Sequence, residues 1–229
     1  MTIVLYDLCG RDAGRRFSPH CWKVRMALAH KQLDFETRAT PFTEIAKIGE
    51  GFSPTVPVID DGGKLMRDSL DIALYLESAY PEGPTLFAGD GGKAAARFVE
   101  SWVQATLGPV MMGLVVKDIH DQLGDADQAY FRQTREKRLG RTLEEAQAGR
   151  EGRVDTFRSA LQPLRMMLGR QPFIGGEAPL FTDYIVFGSL QWARVVSPLK
   201  LLAEDDPVAH WFEHCLDLHG GIGRAVPAA

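Results

Sequence analysis

The sequence is poor in cysteine, carries no excess of positive charge and contains no long hydrophobic run. Its three cysteines, Cys9, Cys21 and Cys215, lie far apart and form no C-x-x-C pair, which disfavours a disulfide framework and a structural zinc site. The formal net charge of −4 offers no basic excess for nucleic acid or an anionic membrane. No apolar run approaches the roughly 18 residues of a membrane span, and the first residues lack a signal-peptide pattern. We therefore expect a soluble, cytoplasmic protein with no nucleic acid, membrane or metal among its partners.

The residues that are present are typical of a folded globular protein. The 229 residues are 45% hydrophobic and 24% charged, which is enough to build a buried core. Over the first eighty residues, short apolar runs alternate with helical patterns and predict the order β-α-β-α-β-β-α. The clearest part is a hairpin, in which residues 56–60 and 64–66 flank the turn Asp61-Gly62-Gly63.

The chain changes character after this α/β pattern. Residues 81–92 contain two prolines and four glycines, which is typical of a linker. Beyond them the sequence shows only helical patterns, with a break at Gly108-Pro109 and one long helix over residues 142–168. We therefore predict an α/β domain over residues 1–82, a linker over 83–92 and an all-helical domain over 93–229.

Ser18 stands immediately before a proline at a predicted helix start. The ordinary use of such a serine is to cap the helix. A hydroxyl at a helix N-terminus also lies in a positive field, where it can donate a hydrogen bond to a thiolate or another anion. Lys23 and Arg25 follow on the same helix and would add positive potential. The two uses of Ser18 both remain open.

Two further motifs follow in order. Pro57 is unusual inside a strand pattern because proline lacks the backbone hydrogen-bond donor. An edge strand could begin at Val58. Alternatively, a cis bond between Val56 and Pro57 could leave the Val56 backbone free to pair with a peptide-like ligand. Asp68 and Ser69 begin the next helix. They could simply cap it, or they could hold the carboxylate and ammonium of an amino acid.

Taken together, these motifs resemble the glutathione transferase superfamily, and Ser18-Pro19-His20-Cys21-Trp22-Lys23 is similar to the serine-type classes. The resemblance implies an α/β thioredoxin-like N-terminal domain joined to an all-α C-terminal domain, glutathione as co-substrate and a homodimer. It implies that Ser18 stabilises the glutathione thiolate, that Val56 before Pro57 pairs with the cysteinyl backbone, and that Asp68 and Ser69 hold the γ-glutamyl end.

A narrower likeness concerns four segments. Residues 5–8, Ser18-Pro19 with Trp22, residues 56–59 and residues 144–151 resemble the bacterial β-etherases of lignin breakdown and the fungal-type transferases allied to them. In such an enzyme the thiolate displaces an aryloxide from the carbon β to a ketone and leaves a glutathione thioether. The likeness implies detoxification or aromatic compound catabolism, acting on a hydrophobic electrophile.

The hydrophobic co-substrate would bind in a cleft between the two domains. The long helix after the linker supplies candidates for its lining, namely Trp102, Gln104 and Met111. The same cleft allows an alternative function, in which the protein binds apolar ligands or partner proteins without catalysis.

A second alternative uses a cysteine. Cys9 lies in a loop with Arg11, Arg15 and Arg16, which could lower the pKa of its thiol and support a glutathione-dependent thiol transferase of reductase type. Cys21 shares a helical stripe with other apolar residues, which favours a packing role.

The superfamily usually has Ser or Thr three residues before an aspartate in a C-terminal capping box. Here Asp183 follows Leu180 at that spacing. We expect Asp183 to accept a hydrogen bond from the Leu180 N–H, while the reciprocal side-chain bond is missing.

Overall fold

The structure is a computed structural model that describes residues 2–229. The strands are β1 (Ile3–Leu8), β2 (Phe35–Thr40), β3 (Val58–Asp61) and β4 (Lys64–Arg67). The helices are α1 (Pro19–His30), α2 (Ser69–Ala79), α3 (Asp90–Trp102), α4 (Gly108–Asp121), α5 (Asp125–Leu139), α6 (Leu143–Gln147), α7 (Val154–Ala160), α8 (Gln162–Leu168), α9 (Phe181–Val196) and α10 (Pro207–Gly221). A 3-10 segment, Phe42–Glu50, joins β2 to β3. A small α/β domain followed by a helical domain confirms the predicted fold class.

The four strands form one mixed sheet in the order β2-β1-β3-β4. β1 runs parallel to β2 and antiparallel to β3, and β3 and β4 form the predicted hairpin. Leu5, Val58 and Ile59 have no exposed surface, so the two central strands carry the core of the sheet.

Helix α1 lies between the sheet and α9, and it is therefore buried on more than one face. Cys21, Val24 and Leu28 form the predicted apolar stripe and are fully buried. Trp22 and Lys23 are also buried, and the Trp22 ring meets Phe187 of α9 edge-on at 6.0 Å. The start of α1 is thus fixed by both domains.

Helix α9 is the centre of the helical domain. All of its residues except Arg194 are buried, as expected for a helix that is surrounded by others. At its start, Asp183 accepts the predicted bond from the Leu180 N–H at 3.0 Å. The same carboxylate also accepts from the Ile174 and Gly175 N–H groups and from the Trp211 indole. Asp183 therefore joins the loop before α9 to α10.

The prediction of one helix over residues 142–168 is wrong. The chain forms α6, a 3-10 turn at Arg150–Arg153, α7 and α8 instead. Gly149 adopts a left-handed conformation with φ 62°, and Pro163 at the start of α8 cannot donate to the preceding turn. These two residues interrupt the helix.

Residues Asp90–Asp121 run as an almost continuous helical stretch of 32 residues with a π-helical turn at Val103–Leu107. The predicted break at Gly108-Pro109 is this turn, in which the Gly108 N–H donates to the Val103 carbonyl. The stretch is long and apolar enough to cross a membrane, with a mean hydropathy of 1.2 over its most apolar window. Both α3 and α4 pack against α9, with six buried residues in α4 and one, Ala96, in α3.

Polar contacts also join the two domains. The Asp127 carboxylate of α5 accepts from the Phe42 and Thr43 N–H groups at 2.8 Å and so caps the 3-10 segment. At the end of α1, the His30 ring contacts the Tyr184 hydroxyl at 2.6 Å, and that hydroxyl contacts His219 Nε2 at 2.9 Å. α1, α9 and the end of α10 meet in this last cluster.

We predict that this cluster makes the protein less stable in acid. Burial lowers the pKa of His30, and it lowers the pKa of His219 from 6.5 to about 4. The unfolded chain then binds protons that the folded chain does not, so stability is full above about pH 6.5 and is lost as the pH falls. Thermal melting should show a smaller loss between about pH 7.5 and about pH 5 in His219→Asn than in wild type. The exposed His210→Asn serves as control; an equal loss in all three proteins would contradict the prediction.

Candidate active site

The starts of two helices and the ends of several strands meet at one edge of the sheet. Val58 pairs with Tyr6 of β1 and with Arg67 of β4, which brings the residues before β3 beside the ends of both neighbours. The Phe17 N–H donates to the Leu8 carbonyl at 3.3 Å, so α1 begins at this same edge. Helix α2 follows β4 directly. The register thus collects the predicted motifs in one place.

Ser18 is the N-cap of α1 and is buried. Its Oγ accepts a hydrogen bond from the Cys21 N–H at 3.2 Å. The first turn of α1 contains no acidic residue, so nothing there offsets the positive end of the helix. Capping uses Ser18 as an acceptor and leaves its hydroxyl proton available, so the two uses of this serine are compatible.

The positive potential expected from Lys23 and Arg25 is largely balanced. Lys23 Nζ lies 2.9 Å from Glu100 Oε1 of α3 and 3.2 Å from His20 Nδ1. Arg25 lies over the Trp22 ring and faces the buried Asp7 carboxyl at 3.9 Å. The Lys23–Glu100 pair also holds α3 against the start of α1.

Val56 precedes a cis peptide bond to Pro57 and is buried. Within residues 2–229 its N–H and C=O form no hydrogen bond, because β3 begins only at Val58. The Val56 backbone can therefore pair with an extended ligand, as a strand added to the sheet does.

Asp68 lies beside Pro57 because Arg67 pairs with Val58 in the hairpin. It has a φ of 68°, an uncommon conformation for a residue with a side chain and one that often occurs at functional sites. Its Oδ1 accepts from the Leu70 N–H at 2.9 Å and from the Asp71 N–H at 3.2 Å. The carboxylate is exposed, whereas Ser69 is buried at the first position of α2.

The three co-substrate candidates occupy different environments. Trp102 is half-buried at the end of α3, and Gln104 is exposed in the π-helical turn. Both follow Glu100, which contacts the start of α1, so both remain predictions for the cleft. Met111 has no exposed surface and packs in the core, so its predicted contact with a co-substrate is not compatible with this structure.

The cysteines do not have the character of reactive thiols. Cys9 is buried, and this burial raises the pKa of its thiol even though Arg16 acts in the opposite direction. The expectation that neighbouring arginines lower this pKa is therefore wrong. Burial likewise raises the pKa of the Cys21 thiol well above its usual value. Neither thiol has the low pKa and the exposure of a redox cysteine.

Comparison with known proteins identifies the class. Residues 13–84 match the family model of the glutathione S-transferase N-terminal domain, and residues 94–218 match that of the C-terminal domain. The chain therefore belongs to the glutathione S-transferase family, an enzyme class that uses glutathione.

Individual relatives agree with this assignment. A glutathione S-transferase-like protein of Aspergillus flavus is 26% identical in an alignment of 209 positions that covers 79% of this chain and 75% of that protein. A glutathione transferase crystal structure from Phanerochaete chrysosporium is 27% identical, with a TM-score of 0.76 over 100% of this chain and 98% of the other. A Ceriporiopsis subvermispora glutathione S-transferase, solved in complex with glutathione, is 24% identical with a TM-score of 0.78 over 99% and 97%, and supports the fold.

We predict that Gly188 is needed to form the site. A Cβ at this position of α9 would lie 2.3 Å from the Pro19 carbonyl oxygen, directly after Ser18. Because both groups belong to packed helices, Gly188→Ala should lower the free energy of unfolding by about 1–3 kcal/mol. Chemical denaturation measures this loss. The matched control is Gly91→Ala in α3, where a Cβ meets nothing within 4 Å; an equal effect of the two changes would refute the packing argument.

Proposed function

We propose that this transferase activates the glutathione thiol through Ser18 and directs it at a hydrophobic electrophile. The observation that carries the proposal is the Ser18 hydroxyl, which caps α1 while keeping its proton, at the edge where the Val56 backbone is unpaired and Asp68 is exposed. A free thiol has a pKa near 8.5, so little of it is thiolate at neutral pH. A hydrogen bond from Ser18 and the positive helix end both stabilise the anion.

The same edge has the groups that glutathione requires. In this proposal the Val56 N–H and C=O pair with the cysteinyl backbone in the manner of strand addition. The Ser69 hydroxyl and N–H receive the γ-glutamyl carboxylate, because the Leu70 and Asp71 N–H groups already donate to Asp68, and Asp68 receives the ammonium group. Binding fixes the thiol beside Ser18, and the thiolate then attacks an electrophile that enters next to Trp102 and Gln104.

The Ser18→Ala variant tests this mechanism. We expect it to retain glutathione binding and to lose about tenfold or more in turnover, with the pKa of the bound thiol restored towards its free value. The ultraviolet thiolate band of glutathione, titrated against pH with each protein, measures that pKa. Cys9→Ser is the matched control and should keep wild-type behaviour. Loss of all turnover in Cys9→Ser, with Ser18→Ala active, would establish the thiol transferase instead.

Cleavage of β-aryl ethers is the electrophile chemistry that we propose to examine first. The support is the sequence likeness, which includes residues 144–151. In the structure this segment packs on α4: Gln147 accepts from the Lys117 N–H at 2.7 Å and donates to Asp118 at 2.8 Å. The likeness of this segment therefore supports common ancestry more than a shared reaction. Turnover of an aryl ether, measured beside turnover of general electrophiles, tests the proposed cleavage. Binding without turnover on any electrophile would favour a carrier.

We also propose a cytoplasmic homodimer that serves detoxification or aromatic compound catabolism. The family resemblance implies the dimer, and Phe98 of α3, 74% exposed, is a large apolar side chain available for a partner copy. Sedimentation velocity should give twice the chain mass of 25.3 kDa, and Phe98→Ser should weaken the association. A monomer at every concentration would rule out the dimer.

A further inference from the structure

A cluster of buried charged groups lies next to the start of α1 and has no part in the mechanism proposed above. It consists of Asp7 in β1, Arg16 in the loop before α1, and Arg25 in α1. Asp7 is 1% exposed and Arg16 is 9% exposed, while Arg25 is half-buried. Arg25 lies 3.9 Å from the Asp7 carboxyl, and the charge of the buried Arg16 also acts on it.

The hydrogen bonds of this cluster are incomplete. Within residues 2–229, Asp7 Oδ1, Arg16 Nε, Arg16 Nη1 and Arg25 Nε are fully buried and have no hydrogen-bond partner. Unpaired buried donors and acceptors are costly, so such a group is rarely retained for stability alone. Burial raises the pKa of Asp7 to about 6, so the carboxyl is mostly ionised at neutral pH and above. The cluster then has a net charge of +1.

Short contacts connect the cluster to Ser18. The Trp22 indole donates to the Arg16 carbonyl at 3.1 Å and holds Arg16 against the first turn of α1. Cys21 connects the two, because its N–H donates to Ser18 Oγ at 3.2 Å and its thiol donates to the carbonyl of Tyr6, the neighbour of Asp7, at 3.8 Å. One residue therefore separates the charged cluster from the hydroxyl that would face the thiolate.

The other charged groups near Ser18 are paired or open to solvent. Lys23 is balanced by Glu100, and burial and the Lys23 charge lower the pKa of the neighbouring His20 to about 4, so its ring is neutral at pH 7. Asp68 is exposed, and the Asp127 carboxylate accepts three hydrogen bonds from Phe42 and Thr43. Solvent and partners screen these groups, whereas Arg16 and Asp7 act through a poorly polarisable interior.

We propose that Arg16 and Asp7 are opposed electrostatic positioning residues for the anion that forms beside Ser18. The buried guanidinium favours a thiolate at that place, and the buried carboxylate disfavours it. The inference rests on the proposed function, because it concerns the glutathione thiol at the same site. It adds two residues that touch neither glutathione nor the electrophile.

The test compares two changes that each remove one charge of opposite sign, the isosteric Asp7→Asn and the shorter Arg16→Gln. In Arg16→Gln the pKa of the bound glutathione thiol should rise by about one unit, and in Asp7→Asn it should fall by about one unit. The thiolate absorbance of enzyme-bound glutathione, titrated against pH, measures both. A purely structural role predicts shifts in the same direction, since both changes would then only loosen the site.

Two controls separate charge from packing. Arg16→Lys keeps the charge and should stay close to the wild-type pKa. Arg15→Gln removes a charge from the same loop, where Arg15 donates to the Val195 and Ala228 carbonyls near the surface, and should leave the pKa unchanged. If Arg16→Gln does not fold, a lowered thiol pKa in Asp7→Asn carries the proposal by itself.

The outcomes distinguish this inference from the function on which it rests. A wild-type thiolate band that is lost in Ser18→Ala but unchanged in Asp7→Asn and Arg16→Gln would overturn the role of the cluster alone. Shifts of one sign in both variants would do the same. The absence of a thiolate band in wild type would overturn the proposed function and this inference together.

Discussion

The close contact between the start of α1 and helix α9 is the constraint on which the rest of the structure depends. Pro19, directly after Ser18, lies so near α9 that only a glycine fits opposite it. The α/β domain supplies Ser18 and the helical domain determines where it stands, because α9 is the buried centre of that domain. The proposed chemistry therefore belongs to the interface, although its residues come from the N-terminal domain.

The sheet register then assembles the remainder of the site. Tyr6, Val58 and Arg67 lie side by side across three strands, and the unpaired Val56 backbone and the exposed Asp68 follow from that order. Two helices begin at this edge; the first turn of α1 contains no acidic residue, whereas the Asp68 carboxylate already accepts from two N–H groups of α2. The site thus combines unpaired backbone before β3 with the starts of two helices, a combination suited to a peptide with a carboxylate and a thiolate.

Much of the fold could be read from the sequence, since periodicity and turn residues mark the βαβ unit, the hairpin and the transition to helices. The half capping box was also predictable, because Asp183 and Leu180 are near neighbours in the chain. The break at Gly149 was missed because a left-handed glycine inside a helical pattern leaves little signal. Sequence patterns predict the secondary structure of neighbouring residues well, but they say little about how the helices and strands pack.

In the candidate site, too, the short motifs could be predicted from the sequence, whereas the packing around them could not. Ser18, Val56 and Asp68 belong to short motifs, and the register brings the motifs together. Met111 was misplaced because the helical pattern does not tell which apolar face turns to the core. By sequence Arg16 is a loop arginine, and only the structure shows that its charge is buried. Asp7 at the end of an apolar run was the one sequence signal for that cluster.

The chain of contacts from His30 through Tyr184 to His219 has a fixed direction. His30 Nε2 lies 3.0 Å from the Thr85 carbonyl, which can only accept, so the proton of this neutral ring must be on Nε2. His30 Nδ1 then accepts from the Tyr184 hydroxyl, and the tyrosine oxygen in turn accepts from His219 Nε2. Each donor is determined by the one before it. The Thr85 carbonyl in the linker thereby sets the tautomer of His219, which lies 134 residues further along the chain. The three hydrogen bonds run in one direction from one domain to the other.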